Sequence, residues 1–392
     1  MKNNKILIIS SIFPNKERKG ATFIVNRCKV LSQKYDIKVL SFNNYQSKIL
    51  KYFKHRTIHK RAIMEFENFN WEFINEKISI IKILLKKLFL KSYFLFKYKK
   101  LKKYIDSSYD IIQAHFAFPD GYLALMIKKK FKIPYVVTCH GSDIHTLTKN
   151  KRFRKYIVKA LNQADKVFFV SEFLHQKAKE CGFNSENYVI TTNGIDSNIF
   201  HIYENKQELL NKYKLNRKNK IIGFVGNLEY VKGADRLVEI FREIMKVEKN
   251  VEFIVVGEGT LKNKIANELS DCVKITFTGN ITQQQVAEYM NCMDYLIVPS
   301  RNEGQGNVIL EAYACATEVI ATECGGIPEI IRDRNKLVEN NEKIGKKISN
   351  IICSNDQHAL DEYSNKIIKK YDWNKIVKFE MDILDSIIKN KQ

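Results

Sequence analysis

The chain has 392 residues, 45% of them hydrophobic and 28% charged, with 16 Gly and only 5 Pro. This is globular composition sized for two or three domains, and it excludes collagen-like and proline-rich chains. Lys and Arg number 66 against 43 acidic residues, a net charge of +23, and no apolar run reaches the roughly 18 residues of a membrane-spanning helix.

The opening run MKNNKILIISSIFP resembles a secretory signal only briefly. Its apolar stretch is short, Pro14 interrupts it, and no small-residue cleavage site follows, so it reads as a first buried strand. None of the eight cysteines pairs at Cys-x-x-Cys spacing, so reduced, buried thiols of a cytosolic chain are expected and a zinc site is not. The charge is uneven. Residues 1–200 hold 38 basic and 15 acidic residues, whereas residues 201–392 hold 28 of each. A genome-wide lysine bias would load both halves, so the first half is expected to meet something anionic. Residues 81–105 carry nine Lys and no acid among Leu, Ile, Phe and Tyr, and residues 47–63 add six more basic residues. That interleaving suits a helix lying on an anionic membrane, and equally a core helix with a solvated lysine face. No helix-turn-helix, zinc finger or single-strand-binding signature accompanies the charge, so nucleic acid is not expected as a partner.

In chain order, strands are expected at 5–10, 37–42, 111–114, 135–139, 166–170 and 188–191, with helices between them at 23–34, 121–130 and 151–163. A polar join near 196–216 follows. Strands then recur at 221–225, 252–256, 275–278, 295–298 and 318–322. Helices near 233–248, 260–269, 282–291, 307–315 and 327–332 connect them, and a last helix covers about 364–390. Alternation of this kind predicts an α/β chain with two parallel-sheet, Rossmann-like domains facing a cleft. The domains are placed at 1–198, with 372–392 returning to it, and at 199–371. Ligands of such sheets bind beyond the carboxyl ends of the strands, so the loops there are the places to look.

After the strand ending at Val298 comes PSRNEGQGNVILEAYACATEVIATECGGIPEI. Glu303 sits in a loop with Gly304, Gln305 and Gly306. Asn307 is expected as the N-cap of a helix that carries Val308 and, one turn in, Glu311. Glycines before a helix N-terminus expose N–H groups to an anion, and the two carboxylates can accept hydrogen bonds from vicinal hydroxyls of a sugar or ribose. Upstream, FVGNLEYVKGADRL places Asn227 in a loop and Lys232 before a helix, where it can act as a point charge on a phosphate. FTGNI places Gly279, Asn280 and Ile281 after another strand. In the first half, Gly20, Ala21 and Thr22 lead into a helix and again offer N–H groups. The glycine pattern is not Gly-x-Gly-x-x-Gly, so dinucleotide binding is not supported. AHFAFPDG and TCHGSDI place His115, His140 and Asp143 after strands. For each histidine the alternative is a satisfied core side chain.

Together with the Gly20 loop, FVSEFL, TNGID and VVGEGT, these motifs occur in an order that resembles the GT-B retaining glycosyltransferases of family 4, over roughly residues 5–332. The resemblance is nearest to bacterial teichuronic-acid and capsule enzymes. It implies a hexosyltransferase using a nucleotide-sugar donor, UDP-linked in preference to GDP-mannose, held mainly by the second domain. By resemblance, Glu311 binds the ribose, Glu303 lies at the donor sugar, and Gln305, Gly306 and Asn307 contact sugar or phosphate. Lys232 binds the diphosphate, the Gly20 loop approaches it, residues 279–281 meet the base, His140 lies near the transferred sugar and Asp143 supports its loop. The implied acceptor is a lipid-linked saccharide at the inner face of the cell membrane, with the enzyme cytoplasmic and peripherally attached. No Asp-x-Asp is visible, so no metal or other cofactor is expected. Three departures stand out: Asn227 where many members have Arg, Gly306 where the loop usually has Pro, and Ala316 and Glu318 within the common Ala-Cys-Gly-x-Pro-Val. The competing readings are a GT-B epimerase or phosphorylase, and a non-catalytic pseudo-transferase binding carbohydrate or nucleic acid.

Overall fold

Runs such as KILIIS and YVVTC, apolar at nearly every position, suit strands covered on both faces, and parallel sheets are what that coverage produces. A computed structural model describes residues 4–14, 22–42, 70–74, 90–271, 274–341, 343–354 and 360–391. It divides the chain into two units, Met1–Thr191 with Asn374–Gln392, and Thr192–Trp373.

The first unit holds β1 (Lys5–Ser10), β2 (Asp36–Phe42), β3 (Asn70–Ile74), β4 (Ile111–His115), β5 (Tyr135–Cys139), β6 (Lys166–Phe169) and β7 (Tyr188–Ile190). They form one sheet in the order β3-β2-β1-β4-β5-β6-β7, and every pairing is parallel. Helices such as Thr22–Leu31, Tyr122–Phe131 and Lys151–Asn162 connect the strands. The second unit holds β8 (Lys220–Val225), β9 (Val251–Val256), β10 (Ile275–Gly279), β11 (Tyr295–Val298), β12 (Glu318–Thr322) and β13 (Leu337–Val338). Their order is β10-β9-β8-β11-β12-β13, again parallel throughout.

Two strands lie outside the expected set. β3 pairs with β2 alone and β13 with β12 alone. An edge strand has one neighbour and needs less apolar sequence, so NWEFI and the two-residue LV carry little signal. The expected last helix is two, Asp361–Tyr371 and Trp373–Lys389. Asp372 between them is extended, and its carboxylate accepts from Ser197 Oγ at 2.8 Å. The main chain is tied there as well: Ile195 N donates to Tyr371 O at 2.7 Å and Trp373 N to Ile195 O at 3.3 Å. Residues 192–198, expected in the first domain, therefore group with the second.

Beyond that break the chain returns to the first unit. Within the Trp373–Lys389 helix, Val377, Leu384 and Ile388 are buried. Tyr35 Oη donates to Asp385 Oδ1 at 2.7 Å and to Met381 O at 3.2 Å, and Lys34 pairs with Asp385. Glu380, wholly buried, meets Arg27 Nε at 3.5 Å and accepts from Gln113 Nε2.

Residues 47–63 and 81–89 of the basic stretches lie outside the described residues. The remainder forms the helix Leu90–Leu101, which turns Tyr93, Phe94, Lys97 and Leu101 into the core. Lys97 is buried, its ammonium 4.1 Å from the Phe42 ring centroid, a cation–π contact. Part of the apolar face is thus core, while Leu95 and Phe96 stay exposed beside Lys91 and Lys99. Among the described residues no helix is long and apolar enough to cross a membrane. The seven described cysteines are all free; Cys181 and Cys324 are half-buried and Cys353 is exposed, contrary to the expectation that all are buried.

Candidate functional site

β8 and β11 are neighbours although about seventy residues separate them, because the strand order reverses there. Loops leaving such a switch point diverge and leave room for a ligand at the carboxyl ends of the strands. The loop after β8 carries Lys232, and the loop after β11 carries Glu303. Lys232 Nζ lies 2.6 Å from Glu303 Oε1, which also accepts from Ser300 Oγ at 2.9 Å. Glu303 is buried and Lys232 half-buried.

Several contacts hold these loops together. Gly233 has φ +68, and a Cβ there would lie 1.9 Å from Pro299 O. Arg301 N donates to Val231 O at 2.9 Å. The Arg301 guanidinium binds both Asp235 oxygens at 2.7 and 2.8 Å, donates to Tyr230 O at 2.8 Å and stacks 3.6 Å over the Tyr230 ring. Planar, bidentate contacts of this kind fix orientation as well as distance. Arg236 donates to Pro299 O and Asn340 Oδ1.

Gly304, Gln305 and Gly306 are buried. Gly306, with φ +94, stands at the N-cap position, and Asn307 is the first residue of the helix Asn307–Ala314. This corrects the expected N-cap, and it follows from the side chain of Asn307 being engaged elsewhere. Its Oδ1 accepts from Asn193 Nδ2 at 3.1 Å, while Asn193 N donates to Gln305 Oε1 at 2.7 Å. Val308 and Glu311 are half-buried on that helix. Loss of water pushes the Glu311 carboxyl up to about 7.

Asn227 is exposed. Residues 279–281 stand at the end of β10, the edge strand two places from β8. Gly20 and Ala21 lie outside the described residues. The structure therefore joins Lys232, Glu303, Gln305 and Asn307 through adjoining loops, and it leaves Asn227 and residues 279–281 unconnected to them by any side-chain bond among the described residues.

In the first unit His115 ends β4 and His140 follows β5. His115 Nδ1 lies 3.1 Å from His140 Nε2. The rings of Phe23 and Phe116 flank His140, with centroids 4.6 and 4.9 Å away. Burial, reinforced by the Arg27 charge, holds both imidazoles well below the usual histidine range. Asp143 ties the two loops together: Oδ2 accepts from Ala117 N at 2.8 Å and Oδ1 from Gly141 N at 2.9 Å. Among the described residues no cluster of three His, Cys, Asp or Glu could hold a metal ion.

Residues 219–354 match the family model described as "Glycosyl transferases group 1", and residues 67–198 match "Glycosyltransferase Family 4". An uncharacterized glycosyltransferase of Methanocaldococcus jannaschii is 33% identical over 290 residues, covering 71% of this chain and 76% of that one. The chain belongs to the family 4 glycosyltransferases. A putative teichuronic acid biosynthesis glycosyltransferase of Bacillus subtilis is 30% identical across 61% of this glycosyltransferase, but the match spans only 59% of that relative. An Anabaena HepE structure in complex with UDP superposes with a TM-score of 0.74 at 16% identity, covering 98% of this chain and all of that one. The two Rossmann-like units with a C-terminal helix on the first are thus the GT-B fold.

Four residues of these glycosyltransferase loops escape a sequence reading: Asn193, Ser300, Arg301 and Arg236. Asn193, Arg301 and Arg236 act across long sequence separations, which only the fold closes, whereas Ser300 reaches Glu303 within its own loop. Gly325 is a fifth. Its φ is +59, a Cβ there would meet Glu303 O at 1.9 Å, and Gly326 N donates to that same oxygen at 3.3 Å. Gly325→Ala is expected to displace the Glu303 loop and cut transfer by about two orders of magnitude, the scale for an ångström-level misplacement. Steady-state kinetics on a variant with unchanged far-UV circular dichroism would check this.

Proposed function

We propose that this enzyme moves a hexose or N-acetylhexosamine, with retention, from a UDP-sugar to a lipid-linked saccharide during cell-surface polysaccharide synthesis. The reading rests above all on the Lys232–Glu303 pair at the β8/β11 switch point. It is supported by relatives named for teichuronic acid and capsular polysaccharide biosynthesis, and by neighbours crystallised with UDP and UDP-glucose. In this reading the diphosphate takes Lys232 and releases Glu303 to accept from sugar hydroxyls, while Glu311 accepts from the ribose. The negative charge that develops on the leaving UDP is met by Lys232 and by the main-chain N–H groups that start the Asn307–Ala314 helix. Neither loop then requires a metal or other cofactor. The leaving phosphate oxygen takes the acceptor's proton on the same face, so Glu303 is not a covalent nucleophile. The excess charge of the first half, with Leu95 and Phe96 exposed among lysines, supports attachment to an anionic membrane face near a lipid-linked acceptor.

Calorimetric titration with UDP, GDP and ADP, without added metal, tests the donor class. UDP alone should bind. Because ionised Glu311 is the form that accepts from the ribose, affinity should rise about tenfold between pH 6 and 8 as that carboxyl loses its proton near 7. Glu311→Gln should remove the part of the pH dependence that exceeds the nucleotide's own. Preference for GDP, or no binding of any nucleotide at millimolar concentration, would overturn the reading.

A further inference from the structure

The helix Asn307–Ala314 starts one residue earlier than its sequence favours. Asn is among the strongest N-cap residues, because its side-chain oxygen accepts from the N–H two or three residues on. Asn307, followed by an apolar run, is placed to cap. The cap position falls instead to Gly306, which has no side chain to offer and makes no cap bond. The N–H groups of Asn307 and Val308, on two half-buried residues, have no partner among the described residues. That is the condition of the first turn of a helix without a side-chain cap. Ile309 N donates to Gly306 O at 2.9 Å.

The reason lies 114 positions back in the chain, where Asn193 Nδ2 donates to Asn307 Oδ1 at 3.1 Å. That oxygen is the one a cap would use. The main chain around Asn193 is fixed independently of this bond. Asn193 N donates to Gln305 Oε1 at 2.7 Å. A Cβ on the next residue, Gly194, would lie 2.6 Å from the Trp373 ring, and Ile195 N donates to Tyr371 O at 2.7 Å. Asn193 is also buried, so close packing leaves its carboxamide little room to turn away from Asn307.

We infer that Asn193 is a positioning residue for the nucleotide: by holding the Asn307 carboxamide it withholds the helix's own cap and keeps the first N–H groups open to an anion. Released, Asn307 would move into the cap position. Its oxygen would accept from Ile309 N or Leu310 N, over the same end of the helix that an anion approaches. A ligand would then have to displace the cap before binding. Asn193 acts through Asn307 and needs no contact with the substrate. That the anion is the diphosphate of a nucleotide-sugar rests on the function proposed above; the competition between cap and anion does not.

Calorimetric titration of the full chain with UDP, comparing Asn193→Ala with Asn193→Ala/Asn307→Ala, would decide the matter. Asn193→Ala keeps the main-chain bond to Gln305 and removes the hold on Asn307. It should weaken UDP binding about fivefold, the worth of one helix cap. The double variant has no cap to release and should recover most of that loss, a rescue that a residue merely supporting the loop would not give. Asn193→Ser, too short to reach Asn307, should reproduce the loss with less change in packing. In a crystal structure of Asn193→Ala without nucleotide, Asn307 Oδ1 should lie within hydrogen-bond distance of Ile309 N or Leu310 N. Wild-type UDP affinity in Asn193→Ala, a double variant that binds no better than the single one, or an Asn307 side chain that stays in place would overturn the inference. Failure of the unsubstituted chain to bind UDP would count against the proposed function alone, because the position of Asn307 is read without nucleotide.

Discussion

Lys232→Ala is expected to lower transfer by about two to three orders of magnitude, the usual cost of losing one group that stabilises developing charge. The reason is that the neighbouring cations are already engaged. Arg301 is held by Asp235 and Tyr230, and Arg236 by Pro299 and Asn340. Asn227 supplies no charge. Lys232 has one carboxylate partner and a side chain about a third exposed, at 32%, which can turn to a phosphate. The variant should lose affinity for UDP itself. Glu303→Gln should behave differently: UDP no longer competes with a carboxylate for Lys232, so its affinity should hold or rise while kcat falls. The double variant should fall short of the sum of the two, because the residues are in contact. Wild-type UDP affinity in Lys232→Ala would remove Lys232 from the phosphate site.

The largest stability effect should come from Arg27→Ala. Deleting one member of a buried pair leaves the other uncompensated and costs about 3–5 kcal/mol. Here the orphan is Glu380, which burial already holds above the usual carboxylate range. Removing Arg27, which works against that shift, should raise it further. In the window between the unfolded and folded values the folded state binds more protons than the unfolded state, so stability falls as pH rises through it. The penalty of Arg27→Ala should therefore be larger at pH 8 than at pH 5.5, and urea titrations at the two values would show it. Arg27→Met with Glu380→Met should recover much of the loss, since an apolar pair of similar size needs no compensation. A penalty independent of pH would mean that Glu380 is not the group left stranded.

Much of this molecule was legible from residue order alone. Runs such as YVVTC and EVIAT must be strands covered on both faces, and their alternation with helices leaves few topologies besides two parallel sheets. The positions of Lys232, Glu303 and Glu311 after strands followed from the same alternation, as did the family resemblance. Local sequence could not supply the edge strands β3 and β13, each of which pairs on one side only. It could not show the break at Asp372, which exists because Ile195, far back in the chain, takes the hydrogen bonds that a continuous helix would use. Nor could it show that Lys232 and Glu303 touch, that Arg301 and Gly325 hold their loops, or that Arg27 and Gln113 meet Glu380. Those relations join residues from 22 positions apart, as Glu303 and Gly325 are, to 353, as Arg27 and Glu380 are. They come into being only when parallel strands bring the carboxyl ends of their loops together and the last helix returns to the first sheet.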